Sequence, residues 1–257
     1  HPEASVLGGA KELFRKPSFW LLALALFMYV GAEVAVGKWV VTFMERDASL
    51  LAGYGLDAAR LQELARSSPA ALNQFFETDP AGIAVVNYAL GTLSFFAFAL
   101  LAGRLVSSFL LGGSRVNSFV LLTVGSLLTT AALVVAFTAG SPAVVRAGLV
   151  AAGFGMGPIF PTSVGLASLM TPRTAGTAIS LVMGVGFAGL LVIPPSVGYI
   201  SAAVGGGEGS VRTGLIAVAA ASVLMLLLHA VLTLRERRQA SMSEAELEAT
   251  AAQVDGH

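Results

Sequence analysis

The chain has no cysteine, which excludes disulfides, thiolate metal sites and a cysteine nucleophile. It is also poor in charge: 12% of its residues are Asp, Glu, Lys or Arg, against a soluble norm of about 25%. Those charges sum to a formal net of zero and form no basic stripe, which argues against nucleic acid as a partner. The histidines, His1, His229 and His257, are too scattered for a ligand set, so neither a metal nor a cofactor is expected. No nucleophile, base and oxyanion donor can be assembled from the residues present, and an enzyme is not expected.

What the chain has instead is apolar surface: 56% of its 257 residues are hydrophobic, and the mean hydropathy is +0.81. A soluble domain of that length could not hide so much, so a bilayer must solvate part of it. Six stretches are long enough to span, at Phe19–Met44, Gly82–Leu101, Val116–Phe137, Ala147–Leu169, Ala175–Ile200 and Thr213–Leu234. Apart from Glu33 and Lys38 in the first, they carry no charge, and they are continuous rather than alternating, which favours helices over barrel strands. The sequence therefore predicts an all-α polytopic membrane protein with a six-helix domain over residues 19–234. The chain opens on His1 and a polar stretch, HPEASVLGGAKELFRKPS, with no signal-peptide pattern, and reads as cut from something longer.

An even number of spans puts both termini on one side. Lys11, Arg15, Lys16, Arg104, Arg115, Arg173, Arg235, Arg237 and Arg238 fall there, nine cations, against five opposite: Arg46, Arg60, Arg66, Arg146 and Arg212. That bias predicts cytoplasmic termini in a plasma (inner) membrane, with residues 1–18 and a tail at 235–257 inside. The one long connection, 45–80, is then external. Leu61 and Leu64 share one helical face, and Leu72, Phe75 and Phe76 another, with Ser68 as cap and Pro69 in the first turn; two short helices over the bundle mouth are expected, with a substrate lid as the rival. In the tail, Ser243 and Glu246 form a capping-box pattern for one further short helix.

Glu33 is the most informative residue. It sits near the middle of the first stretch, where an ionised acid costs roughly 2.5–3.5 kcal/mol on insertion scales. Tyr29, four residues earlier, shares its face. Lys38 lies about 140° round the helix, so it makes no ideal pair with Glu33 and can snorkel outward. Two readings of Glu33 stand: a hydrogen bond tying helices together, or a contact to a solute or proton. Trp39 reads more simply as an interface or packing aromatic than as a sugar platform.

The fourth stretch carries Gly153, Gly155, Gly157, Pro158 and Pro161, followed by Thr162 and Ser163. Such a run breaks the backbone ladder, which a membrane tolerates only where protein or a wet cavity satisfies the freed groups. Close packing through small residues is the plainer account, and both can hold. In the fifth, Gly184, Gly186 and Gly189 match a dinucleotide fingerprint literally, but no strand precedes them, so helix packing explains them better. Pro194 and Pro195 then kink that helix. Arg104, closing the second stretch, and Arg115, opening the third, read as topology anchors, and His229 as a satisfied helix-end residue.

Taken in order, YVGAE at 29–33, Gly103-Arg104-Leu105, GFGMGPIFPT at 153–162 and VIPPSVGYISAAVG at 192–205 resemble the C-terminal six-helix half of a major facilitator superfamily transporter. Within it, the chain is most similar to the fucose–proton symporter-like sugar branch, over residues 15–235. The resemblance implies a secondary transporter of twelve helices moving a small polar solute, sugar-like and proton-coupled, by alternating access. The partners it implies are a missing N-terminal six-helix half, the lipid bilayer and the solute, with residues 1–18 ending the central loop. By position, Tyr29, Glu33 and Trp39 would line the pathway, and Thr162 less firmly. That branch tends to carry an amide where Glu33 stands, which bears on both substrate and proton count. A drug or metabolite exporter of the same superfamily, and a non-transporting membrane scaffold, are the rival readings.

Overall fold

The computed structural model describes residues 10–113, 116–204 and 210–255. Arg115, His1 and His257 of the sequence reading lie outside them. Among the described residues there are helices and no strand. The order is α1 (Pro17–Arg46), α2 (Ala48–Gly53), α3 (Ala58–Ser67), α4 (Pro69–Thr78), α5 (Pro80–Gly112) and α6 (Ser118–Thr138), then α7 (Pro142–Met156), α8 (Ile159–Met170), α9 (Ala175–Ala188), α10 (Ile193–Ala203), α11 (Ser210–Gly214) and α12 (Ile216–Asp255).

Local chemistry explains where most of these helices begin. Asp47, Asp57, Ser68, Asp79 and Asn117 each accept a backbone N–H from the first turn of the helix they precede. Proline stands in the first turn of α1, α4, α5 and α7, where its missing N–H costs nothing. The Ser68 cap and Pro69 start match the sequence reading, and three short helices rather than two form the connection after the first span. Leu51, Leu61, Leu72, Phe76 and Val85 bury a small apolar cluster between them and the start of α5.

Six segments are long and apolar enough to cross a bilayer: Pro17–Arg46, Pro80–Gly112, Ser118–Thr138, Pro142–Met170, Pro172–Ala203 and Val211–Ser243. Two are interrupted. The fourth is α7 and α8 joined through Gly157 and Pro158, and the fifth is α9 and α10 joined through a 3-10 turn at Gly189–Leu191. The first span is the axis of the bundle, 61% buried, whereas the second and fifth are only 28% buried. The third and sixth spans are tied by polar rungs: Thr123 to Thr233 at 2.9 Å, Ser126 to His229 Nδ1 at 2.6 Å, and Thr130 Oγ1 donating to the Ser222 carbonyl at 2.9 Å.

Three expectations about helix ends are corrected. The second span does not close at Arg104 but runs eight residues further, since LVSSFLLG after it stays apolar and helix-forming. The fourth begins at Pro142, which places Arg146 inside it rather than in the outer connection. The tail holds no separately capped helix: α12 continues unbroken to Asp255, because nothing in the Ala-, Glu- and Arg-rich stretch interrupts it, and Ser243 sits mid-helix.

Candidate functional site

Glu33 lies in the middle of α1, half-buried, and Tyr29 is one turn before it and fully buried. The period of the helix brings phenol and carboxylate to one face. Facing them from α5 is Arg104, also half-buried. Glu33 and Arg104 both act electrostatically on the Tyr29 hydroxyl, yet that hydroxyl reaches hydrogen-bond geometry with neither. The Arg104 Nε is likewise buried without a partner. Among the described residues, neither Glu33 nor Arg104 belongs to an ion pair. An acid, a guanidinium and a phenol thus converge at membrane depth while leaving one another's hydrogen-bonding capacity open. Such groups are costly unless water or a polar solute completes them.

The fourth span meets this region through an aromatic ring. Phe160 lies 6.4 Å from Tyr29, ring centre to ring centre, and Phe187 of the fifth span lies 6.3 Å beyond it. Just after Phe160, Thr162 and Ser163 are buried, and neither hydroxyl has a partner. They follow the break at Gly157–Pro158, where two prolines withhold amides: Pro158 leaves the Phe154 carbonyl, and Pro161 the Gly157 carbonyl, without its helical donor. Gly157 N–H compensates in part, bonding Gly153 at 3.1 Å and Phe154 at 3.3 Å.

The glycines there serve two neighbours. A Cβ on Gly157 would come within 2.6 Å of the Leu100 carbonyl in α5, and one on Gly155 within 2.8 Å of the Gly125 carbonyl in α6. In the fifth span, Gly189 lies against the Phe27 carbonyl and Gly186 against Leu26, so both bring it close to α1. Gly184 does not take part: it is about 200° round the helix from Gly186, and a Cβ there would meet nothing within 4 Å.

Trp39 stands apart from Glu33. Its indole N–H donates to the Pro194 carbonyl at 2.9 Å, and its ring edge covers Gly198, so it braces the fifth span where Pro194 and Pro195 restart the helix. A cavity of about 470 Å³ beside it is lined by Lys38, Trp39, Thr42, Pro194 and Pro195.

Arg146 is a further intramembrane cation. It donates from Nε to Thr92 Oγ1 at 3.0 Å and from Nη2 to the Tyr88 carbonyl at 2.8 Å, with its guanidinium 3.3 Å over the Tyr88 ring. Charge buried in this way is satisfied by carbonyl, hydroxyl and π-face rather than by an acid.

A family model for the Major Facilitator Superfamily matches residues 67–253. The chain belongs to the major facilitator superfamily. Comparison with curated proteins finds no match. Membership makes this an integral membrane transporter of that superfamily, built as a six-helix bundle of its fold.

In the sequence Arg104 reads only as an anchor at the end of a span, and what sets it opposite Tyr29 is the packing of α5 on α1. Ser163 offered no signal beyond its place after two prolines.

Proposed function

We propose that the chain is the C-terminal half of a twelve-helix secondary transporter, and that it moves a small polar solute, sugar-like, by alternating access coupled to protons. The observation that carries this reading is Glu33, half-buried at mid-span beside a buried Tyr29 hydroxyl and an Arg104, with no ion pair to it among the described residues. A carboxylate so placed is a proton acceptor and a hydrogen-bond acceptor for solute hydroxyls. The fourth span carries two further buried, unpaired hydroxyls, Thr162 and Ser163. This polar set supports a hydroxyl-rich solute over the hydrophobic cargo of a drug exporter.

The half-transporter reading is supported by the two spans with the least burial, the second and fifth, whose free faces suit a second six-helix block. Cytoplasmic termini remain part of the proposal. Removing Arg104 and Arg146 from the cation tally, one from each side, leaves its bias unchanged.

The test is uptake by the full transporter in proteoliposomes, with Glu33→Gln beside the native protein. The amide keeps size and hydrogen bonding but cannot ionise. Uptake should be abolished, or should lose its dependence on a pH gradient, while the protein stays monodisperse. Normal uptake across pH 5 to 8 would make Glu33 structural and sink the proton-coupling reading.

A further inference from the structure

On the Lys16 side of the bundle, a groove of about 530 Å³ opens between the starts of α1 and α6, the end of α8 and the middle of α12. Arg15 and Arg235 stand in its wall, exposed, and among the described residues neither has a hydrogen-bond or ion-pair partner. The adjacent cation, Lys16, is already engaged: it donates to the Met170 carbonyl at 2.7 Å and pairs with Glu12 at 2.9 Å. The single acid lining the groove, Glu236, receives a long 3.5 Å hydrogen bond from Ser18. A second cavity shares Lys16 and Met170 with the first and adds Arg173 and the Thr171 hydroxyl, which is buried and has no partner.

We infer that this groove binds the headgroup of an anionic phospholipid. Free guanidinium groups and an unpaired hydroxyl match a phosphodiester in charge and hydrogen bonding. Two features favour a lipid over a soluble phosphate. Leu169, 70% exposed, and Phe119 give the groove an apolar wall for an acyl chain. On the same end, Trp20 stacks on Phe14 with ring centres 5.5 Å apart and remains 40% exposed, the kind of aromatic that sits at headgroup level. The second and fifth spans contribute nothing to the wall of the groove itself, and the fifth reaches only the neighbouring cavity, through Pro172, Arg173 and Thr174 at its start.

The experiment compares lipid retention by the full-length protein released from nanodiscs holding equal phosphatidylglycerol and phosphatidylcholine, read by native mass spectrometry. Native protein should retain phosphatidylglycerol selectively. Arg15→Gln and Arg235→Gln should each lower that retention roughly fivefold, and Lys11→Gln, outside the groove, should not. Thermal stabilisation by added phosphatidylglycerol should fall in parallel. Equal retention of both lipids, or retention unchanged in the double arginine variant, overturns the site. Stabilisation by millimolar inorganic phosphate equal to that by phosphatidylglycerol overturns the lipid assignment in favour of a soluble anion.

Discussion

Arg212 grips Asp47 in a two-pronged pair, Nε to Oδ2 at 2.7 Å and Nη2 to Oδ1 at 2.8 Å, across 165 residues of sequence. The same guanidinium donates to the Phe137 carbonyl at 2.8 Å and the Ala139 carbonyl at 3.0 Å, so one side chain fastens the ends of the first and third spans to the start of the sixth. Asp47 in turn caps α2 through the amides of Ser49 and Leu50. Burial alone would raise the Asp47 pKa, but the hydrogen bonds from Arg212 and Ser49 and the Arg212 charge outweigh it and hold the group below the usual carboxylate range.

Breaking this pair should be expensive. Asp47→Asn leaves a largely buried guanidinium facing a neutral amide, and removing one partner of a buried pair costs about 3 kcal/mol. Thermal unfolding in detergent should show a clear drop for Asp47→Asn and for Arg212→Gln, with the double variant no worse than the more damaging single. Additive losses would mean that the two residues act separately. Because the folded pKa is lowered, the stability it contributes is full above the unfolded value near 3.9 and is lost as pH falls through the folded one. The native protein should therefore lose stability below about pH 4, and the Asp47→Asn variant should lose less over the same window.

Gly103 and Gly184 should respond in opposite ways to alanine. A Cβ at Gly103 would overlap the Phe154 carbonyl, a backbone atom that cannot swing aside, so Gly103→Ala must push α5 and α7 apart. The cost is expected at about 1–3 kcal/mol, visible as a lower melting temperature. Gly184→Ala meets no neighbour and gains helix propensity of about 0.8–1.0 kcal/mol. If Gly103→Ala melts with the native protein, the close approach of these two helices is wrong.

Trp39→Phe keeps an aromatic ring over Gly198 but removes the donor to the Pro194 carbonyl. A neutral hydrogen bond of this kind is worth about 1 kcal/mol. The variant should lose about that much stability and retain solute affinity, since the indole N–H is already committed to the backbone. A large rise in the KM for uptake, with unchanged stability, would instead make Trp39 a solute contact.

The absence of native cysteine makes the topology directly testable. Ala59 in α3 is exposed, and a single cysteine there should react with a membrane-impermeant maleimide added from outside intact cells. Labelling only after the membrane is opened would reverse the proposed orientation.

Much of this architecture was legible in the sequence because its causes are local. Apolar run length located the spans, and Ser68 with Pro69 located the start of α4. Two of the errors share one cause, a charge read as the end of a helix. Arg146 is held by Tyr88 and Thr92, more than fifty residues away in sequence, and Arg104 faces Tyr29 across the bundle, so what permits each charge inside a span comes from another helix. Trp39 carries two expectations in the sequence, packing and pathway lining, and the Pro194 carbonyl that its indole meets, 155 residues away, leaves no local mark there. Glu33 and Tyr29 were paired by helical period alone, whereas the arginine opposite them came from the tertiary arrangement.

The glycine contacts of the fourth span have a mechanical meaning. Gly157 meets the main chain of the second span, and Gly155 that of the third. Side chains between helices can change rotamer and let their neighbours slide, whereas backbone laid on backbone has no such compliant layer. Spans two, three and four must therefore travel as one stiff plate. Gly189 lays the fifth span on the first in the same way, against the Phe27 carbonyl, so the break in that helix is pinned to the axis of the bundle rather than left to swing.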